Sequence, residues 1–205
     1  MILDAATLEP HIASWGFDEM SKQPRTGDDL TADGENPSRR SSAVMLVLLE
    51  RPEGPSLVLT QRAAHLPKHP GQISFPGGQA EPQDHDLIAT AVRETEEEVG
   101  LVVPRERVLA ALPRYATRTG FDVAPFVTLV QPPAFWVPQA SEVAEVFEVP
   151  LTTFLQDGVW KRDGARFGGT KLRHWWAVDL GDRYLWGATA AMLQGFVARL
   201  KDELA

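Results

Sequence analysis

The sequence predicts an α/β domain of the mixed (α+β) kind, in which helices flank a mixed sheet. Three observations carry that expectation. Several apolar runs have strand length, one internal segment repeats its apolar residues every 3.6 positions between an Asp and a Gly, and residues 188–204 form an amphipathic helical pattern. At 205 residues, 43% of them hydrophobic and 23% charged, the chain has a globular composition and fits one domain with appendages.

Taken in order, residues 1–18 predict a short helix with Leu8, Ile12 and Trp15 at helical spacing. From Ser21 to Ser42 the chain is polar, rich in Gly, Pro, Asp and Ser, and lacks periodicity. Residues 1–42 are therefore set apart as an N-terminal helix and polar arm, and residues 43–205 as the domain proper. Order is expected to begin with the buried strand Ala43–Leu49, followed by a turn at Arg51–Pro55 and a hairpin partner at Ser56–Gln61. A loop follows from Arg62 to Pro70, then Gly71–Gly78. The next helix starts at Asp84 or Asp86, either of which can cap it, and ends at Gly100, where a left-handed residue is wanted. Its apolar stripe is Leu87, Ile88, Ala91, Val92 and Val99, with Thr95 on the same side. Further strands are expected at 108–112, 123–130, 143–149 and 175–178, and the last helix carries Ala191, Met192, Phe196, Val197 and Leu200.

The balance of charge excludes some functions. A net charge of −8 argues against a broad nucleic-acid surface, which phosphate backbones require to be basic. It leaves room for a small phosphorylated substrate. With no cysteine, neither a disulfide framework nor a thiolate zinc site is available. Met1-Ile2-Leu3-Asp4 lacks the basic and apolar regions of a secretory signal, and no apolar stretch has membrane-spanning length. A cytoplasmic protein without membrane partners is expected.

Chemistry concentrates on the internal helix. Glu94, Glu97 and Glu98 fall at i, i+3 and i+4, so three carboxylates share one face and repel by a few tenths of a kcal/mol per pair. A hard divalent cation such as Mg²⁺ turns that repulsion into coordination. Glu98 also falls beside Leu87 and Ala91, at the edge of the apolar stripe, where a carboxylate is partly desolvated. A Glu-rich helix is ordinarily a solvated face. Gly77-Gly78, Arg93 and Gly100 at fixed offsets tip the balance towards a metal site.

These residues resemble the Nudix box, the signature of hydrolases that cleave a nucleoside diphosphate linked to another group. Arg93, Glu94, Glu97, Glu98, Gly100 and Leu101 match its second half, with Thr95 at an apolar position. In the first half Asp84 stands where the pattern has Glu, and the spacing from Asp84 to Arg93 is one residue longer. Leu59-Thr60-Gln61-Arg62-Ala63 and His69-Pro70-Gly71-Gln72-Ile73-Ser74-Phe75-Pro76-Gly77-Gly78 are similar to the segment that marks the coenzyme A diphosphatase branch, which also tends to carry the shifted box. The later pieces Glu142–Leu151 and Trp186-Gly187-Ala188-Thr189-Ala190 look similar to it too.

The resemblance implies an α/β/α sandwich that splits coenzyme A, and its thioesters, into 3′,5′-ADP and 4′-phosphopantetheine with Mg²⁺ or Mn²⁺. It implies metal oxygens from Glu94, Glu97 and Glu98, with Glu98 and Glu97 thereby catalytic, and Arg93 ordering those carboxylates. The general base comes from the helix or from a later loop, where Glu142 is the first choice and Glu145 the second. Arg62, His69, Gln72, Gly77 and Gly78 are expected at the substrate, and Arg62, Lys68 and Arg118 are unranked candidates for a 3′-phosphate. Partners are then a small molecule only, for a monomer or homodimer. The competing readings are a Nudix hydrolase of NADH or ADP-ribose and a non-catalytic nucleotide sensor. The first differs only in its loops, and the second has no use for three repelling carboxylates. RNA decapping and repair of oxidised nucleotides are disfavoured by the acidic balance.

Overall fold

Two faces of one sheet, each covered by helix, follow from a central strand that is apolar on both sides. The computed structural model describes residues 3–21, 25–26, 39–167 and 171–205. In chain order the elements are α1 (Ala5–Ser14), β1 (Arg25–Thr26), β2 (Arg40–Leu49), β3 (Ser56–Arg62), β4 (Ile73–Ser74), β5 (Gly77–Gln79), α2 (Leu87–Val99), β6 (Val108–Ala111), β7 (Tyr115–Ala116) and β8 (Phe121–Val130). They continue with β9 (Val143–Pro150), α3 (Leu151–Leu155), β10 (Trp160–Phe167), β11 (Lys171–Asp179), β12 (Tyr184–Trp186) and α4 (Gly187–Leu204).

Strand β2 is buried along most of its length because it pairs in parallel with β8, from Arg40↔Phe121 to Leu49↔Val130. That partner draws the strand's start back to Arg40, three residues before the expected Ala43. At its far end β2 forms the expected hairpin with β3, Leu48 opposite Leu57. At its near end it pairs with β5, placing Gly78 opposite Ala43 and Gly77 opposite Val44. Strand β9 runs antiparallel along β3, so the Gly-Gly pair, β3 and β9 meet at one edge of the same sheet.

Side chains alternate between the two faces. Ala43, Met45 and Val47 pack with Ala91 and Val99 of α2, whereas Leu46, Leu48, Leu57 and Leu59 pack with α1 and α4. Gly100 closes α2 with φ of 74°, the left-handed cap its position requires. Helix α1, shorter than the expected span, is capped by the Asp4 carboxylate, which accepts from Thr7 N at 2.8 Å. Its Leu8 and Ile12 are fully buried, and Trp15 meets Phe196 of α4 edge-on at 5.5 Å. The helix is therefore part of the same core as α4.

Most of the expected polar arm lies outside the described residues. Within it, Arg25–Thr26 pairs in parallel with β7, so part of that stretch joins the sheet. The larger surprise is a second, three-stranded antiparallel sheet, β10-β11-β12, where only 175–178 was expected to be strand. Among the described residues no helix is long and apolar enough to cross a membrane.

Docking of α1 carries a measurable consequence. Replacing the fully buried Leu8 with Ala should lower unfolding stability by about 2–5 kcal/mol, read from urea denaturation. An unchanged midpoint would show that α1 does not belong to the core.

Candidate active site

Helix α2 presents its carboxylates because its two preceding aspartates divide their work. Asp86 caps the helix, accepting from Ala89 N at 2.9 Å. Asp84 instead accepts from Arg93 Nε at 3.0 Å and Nη2 at 2.9 Å, from Thr90 Oγ1 at 2.9 Å and from Glu81 N at 2.9 Å. The Arg93 hydrogen bonds outweigh burial and hold the Asp84 carboxyl well below the usual carboxylate range. The one-residue longer spacing thus still lets this carboxylate reach the guanidinium. Arg93 is shared further. Its Nη1 donates to Glu94 at 3.0 Å and to Glu97 at 2.9 Å, and its Nη2 to Gln79 O at 3.2 Å.

Glu98 occupies the most constrained place. Its side chain is 3% exposed, at the inner edge of the apolar stripe. Its Oε2 accepts from Gly77 N at 3.1 Å, and Arg62 Nη1 lies 3.9 Å from Oε1. Burial pushes its pKa up to about 7, opposed by the Gly77 N–H and Arg62 and reinforced by the charges of Glu94 and Glu142. Glu94 is pushed up as well, first by burial, against Arg93 and with Glu97 and Glu142. The glycine pair that opens β5, expected as a turn but paired with β2, makes this approach possible. With φ of 151° at Gly77, a Cβ there would lie 2.4 Å from Ala43 O, and one on Gly78 would lie 2.4 Å from Glu94 Oε1.

The later loop hooks onto the end of α2. Val137 N donates to Val99 O at 3.1 Å and Gln139 N to Glu98 O at 3.0 Å, using carbonyls a helix terminus leaves open. Glu142 follows, its carbonyl accepting from Ala63 N at 2.8 Å, while His65 Nε2 sits 3.1 Å from Ser141 O. Glu142 is thereby brought to the box carboxylates. Glu145 is not: it pairs with Arg183 at 2.8 Å. In the loop after β3, His69 has φ of 54° and its Nδ1 meets Gln72 Oε1 at 2.8 Å. Arg62 N donates to Gln72 O at 2.9 Å, and the buried Arg62 Nε has no hydrogen-bond partner among the described residues.

A cleft of about 750 Å³ gathers these pieces. Arg62, His69, Gln72, Gly77, Gly78, Arg93, Glu94, Glu97 and Glu142 all line it, with Glu98 just behind Gly77 and Arg62. Lys68 and Arg118 line it too. Sequence reasoning missed the contribution of the small sheet, Arg173, His174, Trp175 and Trp186. The signal for it was Trp186-Gly187-Ala188-Thr189, which places Trp186 in the cleft and lets Thr189 Oγ1 donate to Ile73 O at 3.2 Å. Trp136 instead packs against the α2-side core.

Among the described residues, no three acidic or histidine side chains converge to hold a metal ion. Arg93 Nη1 instead bridges Glu94 and the half-exposed Glu97, and Gly77 N–H holds Glu98. The donor chemistry nonetheless suits a hard cation. All the groups are anionic oxygens, Glu94 and Glu98 are penalised for being charged without one, and Mg²⁺ fills remaining positions with water.

The raised Glu98 pKa fixes a pH dependence. Between the ordinary 4.5 and about 7 Glu98 is protonated more in the folded, metal-free protein than in the unfolded chain, so this residue's contribution to stability falls as pH rises through that window. Urea midpoints taken in chelator should fall less steeply for Glu98→Gln than for wild type. Equal slopes would contradict the desolvation argument.

Comparison with known proteins agrees with the geometry. A family model described as NUDIX domain matches residues 39–165. Proteins called "Uncharacterized Nudix hydrolase NudL" from Salmonella paratyphi B and Salmonella newport are each 39% identical over 162 residues, covering 78% of this chain and 82% of theirs. Among solved structures, the NUDIX domain of Shewanella oneidensis NrtR complexed with ADP ribose aligns with a TM-score of 0.54 at 17% identity, covering 85% of this chain and 96% of that one. A MutT/nudix family protein from Enterococcus faecalis aligns with a TM-score of 0.54 at 13% identity, covering 100% and 76%. The solved structures share the fold, and the family model together with relatives 39% identical over 78% of the chain shows that the chain belongs to the Nudix hydrolase family.

Proposed function

We propose that this chain hydrolyses the diphosphate bond of coenzyme A, and of its thioesters, to 3′,5′-ADP and 4′-phosphopantetheine. The observation that supports the reading is that two separate motifs line a single cleft: Arg93, Glu94 and Glu97 from one, and Arg62, His69, Gln72, Gly77 and Gly78 from the other. Glu94, Glu97 and Glu98 would hold Mg²⁺ or Mn²⁺, which supplies charge neutralisation at the diphosphate oxygens.

This chain's own groups then have distinct tasks. Arg93 orders the carboxylates rather than touching substrate. Arg62, whose Nε is buried without a partner among the described residues, presents a guanidinium to a phosphate, with Lys68 and Arg118 available to the 3′-phosphate. Glu142 takes a proton from the water that attacks phosphorus, and the bridging P–O bond breaks. Its place among Glu94 and Glu98 favours it over Glu145, which Arg183 engages. His69 and Gln72 hold each other and shape the loop that faces the phosphates. Gly77 and Gly78 leave room for the chain to lie against Val44 and the Glu94 carboxylate.

A panel of diphosphates with Mg²⁺ or Mn²⁺ tests the reading. Coenzyme A should be the preferred substrate by kcat/KM, ahead of NADH and of ADP-ribose, the ligand of the Shewanella domain. Preference for either of the others overturns the coenzyme A assignment but keeps a hydrolase; no turnover of any favours a sensor. Glu142→Gln should lower kcat about 100-fold or more with little change in KM. A near-wild-type kcat would remove Glu142 as the base.

A further inference from the structure

Four of the six tryptophans belong to the two hydrophobic cores or pack against them. Trp15, Trp160 and Trp176 pack against the α1/α4 side, and Trp136 against the α2 side. Trp175 and Trp186 are placed differently, for both line the cleft. Register explains why they act together. Ala177 pairs with Trp186, and Trp175 stands two residues from Ala177, so the two indoles share one face of the small sheet. Their ring centroids are 5.5 Å apart at an interplanar angle of 57°.

The wall is also held in place. Trp175 Nε1 donates to the Tyr184 hydroxyl at 3.4 Å, and that hydroxyl donates to Asp163 Oδ2 at 2.5 Å. Gly187 and Ala188, the next cleft residues after Trp186, add almost no side chain beside it. The cleft therefore has an anionic and cationic region for a diphosphate and an aromatic region, two tilted indoles, for something with a π-face. Both indoles lie beyond residues 39–165, the part matched by the family model.

We infer that the Trp175–Trp186 face of the small sheet is the stacking site for the substrate's nucleobase. The inference deepens the proposed function and rests on its premise that the substrate is a nucleoside diphosphate derivative. Base–aromatic stacking needs no particular hydrogen-bond pattern, and its removal weakens binding by about tenfold or more per base.

The test measures binding without turnover, in chelator, by intrinsic tryptophan fluorescence. Adenosine 5′-monophosphate should quench the wild-type protein saturably, while ribose 5-phosphate and 4′-phosphopantetheine should not. Trp186→Leu and Trp175→Leu should each raise its Kd about tenfold, and Trp186→Phe should restore most of the affinity. In turnover of whichever diphosphate the panel selects, the Leu variants should raise KM and leave kcat within about twofold. Equal quenching by ribose 5-phosphate, preferential quenching by 4′-phosphopantetheine, or unchanged Kd in both Leu variants overturns the inference. Because no hydrolysis is needed, failure of coenzyme A as a substrate would not mimic failure of the stacking site. Loss of base preference would equally leave the hydrolase reading intact.

Discussion

The carboxylate of Glu98 sits almost entirely out of water, with one backbone N–H, from Gly77, as its hydrogen-bond donor and Arg62 at 3.9 Å. A charge in that position is costly unless positive groups surround it, and here its neighbours Glu94 and Glu142 make the cost larger. Much of the surrounding architecture can be understood as bringing that carboxylate and its partners to one place. Strand β5 is pinned to β2 so that Gly77 faces Glu98; the loop after Val130 hooks onto the end of α2 so that Glu142 joins them.

Arg93 manages the rest of the negative charge. One guanidinium reaches Asp84, Glu94, Glu97 and the Gln79 carbonyl, a spread that the planar five-donor fork permits and a lysine would not. It also ties the loop before α2 to the face of the helix, so that the loop and the carboxylates form one rigid unit. The consequence is a site preorganised in its backbone but adaptable in Glu97, which is half exposed and engaged by Arg93. A cation competing with Arg93 has a carboxylate it can recruit.

Helix α2 was legible in the sequence because every level agreed: a capping Asp, a 3.6-residue stripe, a terminal Gly and an acidic face. Even the burial of Glu98 could be read from its angular position beside Ala91. Which aspartate capped the helix was not legible, since both can, and only the reach of Arg93 separates Asp84 from Asp86. The start of β2 was misplaced because Arg40 and Ser41 are polar, and their place in a strand comes from pairing with β8 rather than from pattern. The small sheet escaped for a related reason: Trp160–Phe167 holds four charged residues and a glycine, which suits an exposed strand but resembles a loop. The aromatic wall of the cleft was hidden with it.

Capture of a divalent ion by the mutually repelling glutamates is the claim on which the account turns, and electron paramagnetic resonance of Mn²⁺ addresses it directly. Titrating the protein into Mn²⁺ should deplete the six-line signal of the free ion, and Glu94→Gln combined with Glu98→Gln should leave that signal at full strength. Full retention of the free-ion signal by the unaltered protein at saturating concentration, or equal depletion by the double variant, would contradict the account.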